Sequence, residues 1–288
     1  MQLEPVAASS PSRTPSRWKW RAAILIVAAA ACVVSCDALQ RSLVYPARHH
    51  DRAVFAQRVQ ERFGAQAVVI APFDAIVLEP GSPAVATAIW FHGNGNVNTD
   101  FARLVSVFGE RGVRLVLAEY PGYGARAGVP SERVLVADAR DLYAAVRARY
   151  GAQPVIVIGQ SLGSGVAAQL VAGGSLTRPE RLALITPFFD LPDAASHAFW
   201  HLPLRSLMND RYDSGGALAH YEGPLVVVVA AEDRFVGAEG GRRLAHVDRP
   251  HGVTTLLELP GADHNSWLDA MTPTAWDAVL GVGAAVHR

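Results

Sequence analysis

Short apolar runs, broken by polar and glycine-rich intervals, recur along most of the chain, and amphipathic stretches fill many of the gaps between them. Ala67-Val68-Val69-Ile70 and Ala75-Ile76-Val77-Leu78, separated by Pro72 and Asp74, predict two early strands in a hairpin. Ala86 to Phe91, Val113 to Ala118, Val155 to Ile158, Arg181 to Ile185, Leu225 to Ala230 and Val253 to Leu259 predict the later strands. Val155 to Ile158 in particular is too short and too β-branched for a helix, and fits a buried parallel strand. Asp100 to Glu110 reads as a helix with Phe101, Leu104, Val105 and Phe108 on its buried side. Ser131 is placed to cap a helix running to about Tyr150 that buries Leu135, Ala139, Leu142 and Val146. A buried helix follows Leu162, and a final one covers roughly Pro273 to Val286.

This alternation predicts an α/β fold: a doubly wound, mostly parallel sheet of about eight strands with helices on both faces. The alternation is interrupted after the sixth strand. Pro187 to Tyr221 mixes Phe188, Phe189, Phe199, Trp200, Leu202 and Leu204 with Asp190, Asp193, Asp210 and Asp213, and predicts a small helical cap.

The first 36 residues behave differently. Residues 1–16 are rich in Ser, Pro and Ala. Arg17-Trp18-Lys19-Trp20-Arg21 then precedes the apolar run Ala22 to Ser35. That run, of about fourteen residues, suits an export signal better than a spanning helix of about twenty. The basic flank would stay in the cytoplasm and the remainder would cross. Val33-Val34-Ser35-Cys36 resembles a bacterial lipobox, which makes Cys36 a lipidation candidate; an uncleaved signal anchor uses the same residues. Either way the expectation is a catalytic domain over 67–288, behind a connector at 37–66, tethered to a membrane on the extracytoplasmic, periplasmic side. Lys plus Arg equals Asp plus Glu at 26 each, so no basic excess is available to neutralise a phosphate backbone, and nucleic acid is not an expected partner. Cys32 and Cys36 are the only cysteines, and both precede the domain. Its chemistry must therefore come from oxygen and imidazole groups, with no disulfide or cysteine-ligated metal within it.

The chemistry concentrates at Gly159-Gln160-Ser161-Leu162-Gly163, where the apolar run Val155 to Ile158 stops and a helix begins. Glycines two positions either side of a residue allow a sharp strand-to-helix turn that pushes the central side chain clear of the sheet. Such a turn also aims the helix N-terminus and the Leu162 amide at the space before the hydroxyl. An ordinary loop can share the pentapeptide, but the strand before and helix after favour a nucleophile. A serine needs a base, and the base a third group to orient it. Asp233 and His264 both lie just past strand ends. His92 also follows a strand, but its Gly-Asn-Gly-Asn tail suits it to shaping a loop facing Ser161. Glu232 should point elsewhere, and Asp263 adjoins His264 too closely to reach its far nitrogen.

With His92-Gly93-Asn94-Gly95-Asn96, Tyr120-Pro121-Gly122-Tyr123-Gly124, Gly159-Gln160-Ser161-Leu162-Gly163, Asn209-Asp210-Arg211-Tyr212-Asp213-Ser214, Glu232-Asp233-Arg234-Phe235-Val236 and Asp263-His264-Asn265 in this order, the chain from about Leu43 onward resembles the α/β-hydrolase superfamily. Within it, the resemblance is to small membrane-anchored serine hydrolases. It implies Ser161 as nucleophile, His264 as base, Asp233 as acid, and the backbone N–H of Asn94 as the oxyanion donor partnering Leu162. It also implies no cofactor and no metal, and a small-molecule or lipid-like acyl substrate cleaved at a carboxylic ester or thioester. Two departures are Pro121, where arginine or a similar residue is common, and the glycine-rich helix start Gly237-Ala238-Glu239-Gly240-Gly241. Two other functions use the same scaffold: a serine peptidase, for which no acidic pair to hold a peptide N-terminus is identifiable, and a non-catalytic binding protein.

Overall fold

The computed structural model describes residues 41–42, 44–172, 177–198, 208–249 and 251–282. The expected leader, with Cys36, and the cap residues Phe199, Trp200, Leu202 and Leu204 lie outside the described residues. No helix among those described is long and apolar enough to cross a membrane.

Eight strands form one sheet in the order β1-β2-β4-β3-β5-β6-β7-β8. The early pair, β1 (Ala67–Ile70) and β2 (Ala75–Leu78), is the expected antiparallel hairpin, and β2 also pairs antiparallel with β4 (Val113–Leu117). From there the sheet is parallel through β3 (Ala86–Phe91), β5 (Val155–Gln160), β6 (Arg181–Ile185), β7 (Leu225–Ala230) and β8 (Thr254–Leu259). The registers Phe91 with Gly159, Gln160 with Ile185 and Ala230 with Leu259 bring the carboxyl ends of β3, β5, β6, β7 and β8 to one edge. Ligands of such sheets bind at that edge.

Two-residue alternation divides the strand side chains between two cores. Ile89, Phe91, Val155, Val157, Leu182 and Leu184 join one, together with Leu135, Leu142 and Val146 of α3 (Glu132–Tyr150) and Val166 of α4 (Leu162–Val171). Ala88, Trp90, Ile156, Ile158, Ala183 and Ile185 join the other, with Leu104 and Phe108 of α2 (Leu104–Gly109) and Trp276 and Val279 of the last helix (Pro273–Leu280). Burying a side chain of this size contributes about 1.5–3 kcal/mol, so the double face is the main stabilising feature.

Three elements differ from expectation. The stretch 37–66 contains α1 (Arg52–Phe63), capped by Asp51, whose side chain accepts from the Val54 amide, and anchored by buried Phe55 and Phe63. The helix expected over Asp100 to Glu110 is instead a 3-10 turn, Asn98–Phe101, followed by α2. The last helix stops at Leu280, because Gly281 takes the left-handed conformation (φ 69°) and caps it by donating to the Asp277 carbonyl.

After β6, the interruption contains α5 (Leu191–Ala198) and α6 (Ser214–Leu218). The glycine-rich helix start then forms α7 (Ala238–Ala245) after all. A Cβ on Gly240 would lie 3.1 Å from the Phe189 nitrogen, and one on Gly241 2.7 Å from Val229 Cγ2. The glycines that weaken the helix let it lie directly on β7 and the Pro187–Phe189 turn.

Gly163 shows the same constraint more severely, since a methyl group there would overlap the carbonyls of Phe91 and His92. Gly109, at the end of α2, faces open space. Gly163→Ala is therefore expected to lose about 3 kcal/mol in urea unfolding. Gly109→Ala should hold its stability or gain up to about 1 kcal/mol. Equal values for the two variants would contradict this packing.

Candidate active site

Ser161 follows β5 directly, at φ 53° and ψ −117°. This backbone region is uncommon for a residue with a side chain and costs of order 1–3 kcal/mol. Local bonds hold it there. The Ser161 amide donates to the Ile185 carbonyl at 2.9 Å, and its own carbonyl accepts from the Ser164 amide at 2.8 Å and the Ser164 hydroxyl at 2.6 Å. A methyl group on Gly159 would overlap the Gly163 carbonyl, so the glycine pair sets how closely α4 approaches β5. Ser161 is 5% exposed.

Asp233 lies in the turn after β7, and His264 in the loop after β8. Asp233 Oδ1 accepts from the amides of Phe235 (2.9 Å) and Val236 (3.1 Å), which turns Oδ2 toward the imidazole. His264 Nδ1 lies 2.7 Å from that Oδ2, and Nε2 lies 2.9 Å from Ser161 Oγ. With Nδ1–H donating to the carboxylate, Nε2 is left to accept from the hydroxyl; this tautomer is the one the partners assign. The Phe235 ring, 63% exposed, lies 4.9 Å from the imidazole centroid. Glu232 is exposed and turned to solvent. Asp263 makes a local turn instead, accepting from the Asn265 and Ser266 amides and the Ser266 hydroxyl, each at 2.9 Å.

The loop after β3 carries Asn94. The Asn94 side chain is held from both sides: Nδ2 donates to the Val44 carbonyl at 2.5 Å, and Oδ1 accepts from the Tyr123 hydroxyl at 3.0 Å. Burial pushes the Tyr123 phenol above its usual range, with Glu119 adding to the effect, so it remains a donor. Among the described residues, neither the Asn94 amide nor the Leu162 amide donates to a protein acceptor. His92 is fully buried, its Nε2 2.9 Å from Glu119 Oε1 and its Nδ1 2.9 Å from the Gly93 carbonyl. Glu119, itself 1% exposed, escaped the sequence reading. Its one signal is a carboxylate placed directly at the end of an apolar strand, before Tyr120-Pro121-Gly122. Among the described residues, no group of three or more His, Cys, Asp or Glu side chains could hold a metal ion.

Residues 82–214 match the family model described as serine aminopeptidase, S33. An uncharacterized protein of Mycobacterium tuberculosis is 31% identical over 176 residues, which is 60% of this chain and 61% of that protein. The mouse lysophosphatidylserine lipase ABHD12 is 31% identical over 183 residues, or 57% of this chain and 46% of the lipase. The match thus spans about three fifths of the first relative and under half of the second. In architecture, an esterase of Pyrococcus furiosus, Pf2001, superposes with a TM-score of 0.55 at 16% identity, covering 72% of this chain and 82% of the esterase. The monoacylglycerol lipase of Paleococcus ferrophilus gives 0.56 at 14% identity, covering 73% and 99%. The chain has the α/β-hydrolase fold.

The loop bearing His264 depends on Asp263. The Asn265 amide, then the Ser266 amide and hydroxyl, hold the Asp263 carboxyl below its usual value. A depressed carboxyl stabilises the folded loop fully above the unfolded value near 4 and loses that contribution as the pH falls through the lowered one. Hydrogen exchange should show the Asn265 and Ser266 amides better protected in the wild type than in Asp263→Ala at pH 6, with the difference closing below about pH 4. A difference that persists unchanged in acid would contradict the assignment.

Proposed function

We propose that this α/β-hydrolase is a serine hydrolase that cleaves carboxylic esters, with lipid-like acyl esters or thioesters as the natural class, through an acyl-enzyme on Ser161. The observation that carries the reading is the continuous relay from Ser161 Oγ through His264 to Asp233, with steps of 2.9 and 2.7 Å. Both lie within the hydrogen-bond reach that a nucleophile and its base require.

The reaction follows from the geometry. Ser161 Oγ attacks the acyl carbon as His264 Nε2 takes its proton, and the Asp233 carboxylate stabilises the resulting imidazolium through Nδ1–H. The carbonyl oxygen becomes an oxyanion, for which the Asn94 and Leu162 amides are the donors. The Leu162 amide opens α4, so the positive end of the helix adds to it. His264 then gives its proton to the leaving alkoxide or thiolate. Water repeats the sequence on the acyl-enzyme, releasing a carboxylic acid and regenerating Ser161. Side chains and backbone amides supply every group these steps require.

The relatives named as esterase and lipases favour an ester substrate. The basic flank and apolar run over residues 17–35 support a membrane tether that keeps the domain on the extracytoplasmic side, with Cys36 as the lipidation candidate; such a tether suits an acyl substrate drawn from a bilayer. The description of the matching family model favours a second reading, an aminopeptidase using the same three side chains.

A fluorophosphonate probe should label the wild type once, on Ser161, and should not label Ser161→Ala. On p-nitrophenyl esters, Asp233→Asn should lower kcat about ten-thousand-fold, the loss expected when the base is left in the wrong tautomer. Turnover of p-nitrophenyl esters well above that of aminoacyl p-nitroanilides selects the esterase reading, and the reverse order selects the peptidase. A folded wild type that neither labels nor turns over would sink both.

A further inference from the structure

Glu119 is buried and ionisable, and the steps above do not use it. Its contacts all serve the segment between β3 and the 3-10 turn at Asn98, or the turn that follows β4. Oε1 lies 2.9 Å from His92 Nε2 and accepts from the Tyr120 amide at 3.1 Å, while Oε2 accepts from the Asn98 amide at 3.2 Å. A single carboxylate therefore grips both ends of the His92–Asn98 loop. Asn94 lies between those ends. The Tyr120 hydroxyl adds a bond of 2.8 Å to the His92 carbonyl, and the Tyr123 hydroxyl reaches Asn94 Oδ1 at 3.0 Å.

Burying an ionisable pair is a poor way to gain stability, because desolvation offsets much of the attraction. What a satisfied buried network does supply is a single loop conformation. An oxyanion donor acts only if its hydrogen already points to where charge will develop, and a displacement of about 1 Å can cost a hundredfold in rate. We infer that Glu119, with Tyr123, positions the Asn94 amide for the oxyanion by clamping the His92–Asn98 loop. This inference rests on the serine-hydrolase reading of the site. Neither residue touches the reacting atoms, so both are positioning residues.

Glu119→Gln is the sharpest test. The amide that replaces one carboxylate oxygen would meet either the Asn98 amide or the Tyr120 amide, donor against donor, so one end of the loop is released. Tyr123→Phe removes only the bond to Asn94 and leaves the shape of the ring, and it serves where Glu119→Gln does not fold. The readouts are kcat and KM for a p-nitrophenyl ester, and inhibition by an alkyl trifluoromethyl ketone, which forms a tetrahedral adduct with an oxyanion.

Glu119→Gln is expected to lower kcat by ten- to a hundredfold with KM changed less than twofold, and to weaken the trifluoromethyl ketone by a similar factor. Tyr123→Phe should show the same pattern at about threefold. A purely structural role would lower the amount of folded enzyme without this split between kcat and KM. Wild-type kcat and inhibitor affinity in a folded Glu119→Gln, or in Tyr123→Phe where Glu119→Gln does not fold, would overturn the inference while leaving the nucleophile in place. Full esterase activity in Ser161→Ala would overturn the serine-hydrolase reading, and this inference with it.

Discussion

The positive φ of Ser161 is the constraint on which the rest of the structure depends. A residue with a side chain is held in that conformation only where its surroundings over-determine it. Here β5 enters the turn, α4 leaves it, and the Ile185 carbonyl receives the Ser161 amide from the neighbouring strand. The turn closes only if α4 packs against the ends of β3 and β5 without intervening side chains, and Gly163 and Gly159 permit that approach. The strain lifts Ser161 Oγ out of the sheet plane, to where residues from other strands can meet it. Stability stored in two apolar cores thus sustains one unfavourable backbone conformation.

Parallel strands make the meeting possible. Because β3, β5, β7 and β8 end at one edge, short loops bring Ser161, Asp233 and His264 into one relay and set the loop bearing Asn94 at the same edge, although 103 positions separate Ser161 from His264. Each loop then carries its own fixing bonds. Two backbone amides orient Asp233, Asp263 ties the turn beside His264, and Glu119 holds the ends of the loop bearing Asn94. Val44 and Tyr45 take part as well. The Val44 carbonyl accepts from Asn94, and the Tyr45 hydroxyl donates to Asp210 at 2.6 Å, ahead of Tyr212. The Val44–Tyr45 segment is therefore in contact with the loop bearing Asn94.

Much of this could be read from the residues. Strand runs such as Leu225 to Ala230 are apolar because both faces of the sheet are covered, and the glycines around Ser161 announce the turn. The candidate side chains at strand ends can be picked out by position, which separates Asp233 and His264, hydrogen-bonded to each other in the structure, from Asp263 and the other histidines. The misses have physical reasons. In α1 only Phe55 and Phe63 are buried among many polar residues, so its apolar signal is sparse, though the Asp51 cap and the Phe55, Val59, Phe63 spacing were available. Asp100 to Glu110 has the periodicity of one helix, yet its first turn winds more tightly as a 3-10 turn ahead of α2, with both Phe101 and Leu104 buried. Glu119 carries only the signal of a carboxylate at a strand end, because its contacts are with a loop more than twenty positions earlier.

The central claim is that Ser161, Asn94 and Leu162 surround one developing charge. The most direct measurement is a crystal structure of the enzyme after reaction with a fluorophosphonate. The account predicts phosphorus bonded to Ser161 Oγ, with the phosphoryl oxygen about 2.7–3.1 Å from the amide nitrogens of both Asn94 and Leu162. An adduct on another residue, or a phosphoryl oxygen turned away from those two amides, would contradict it.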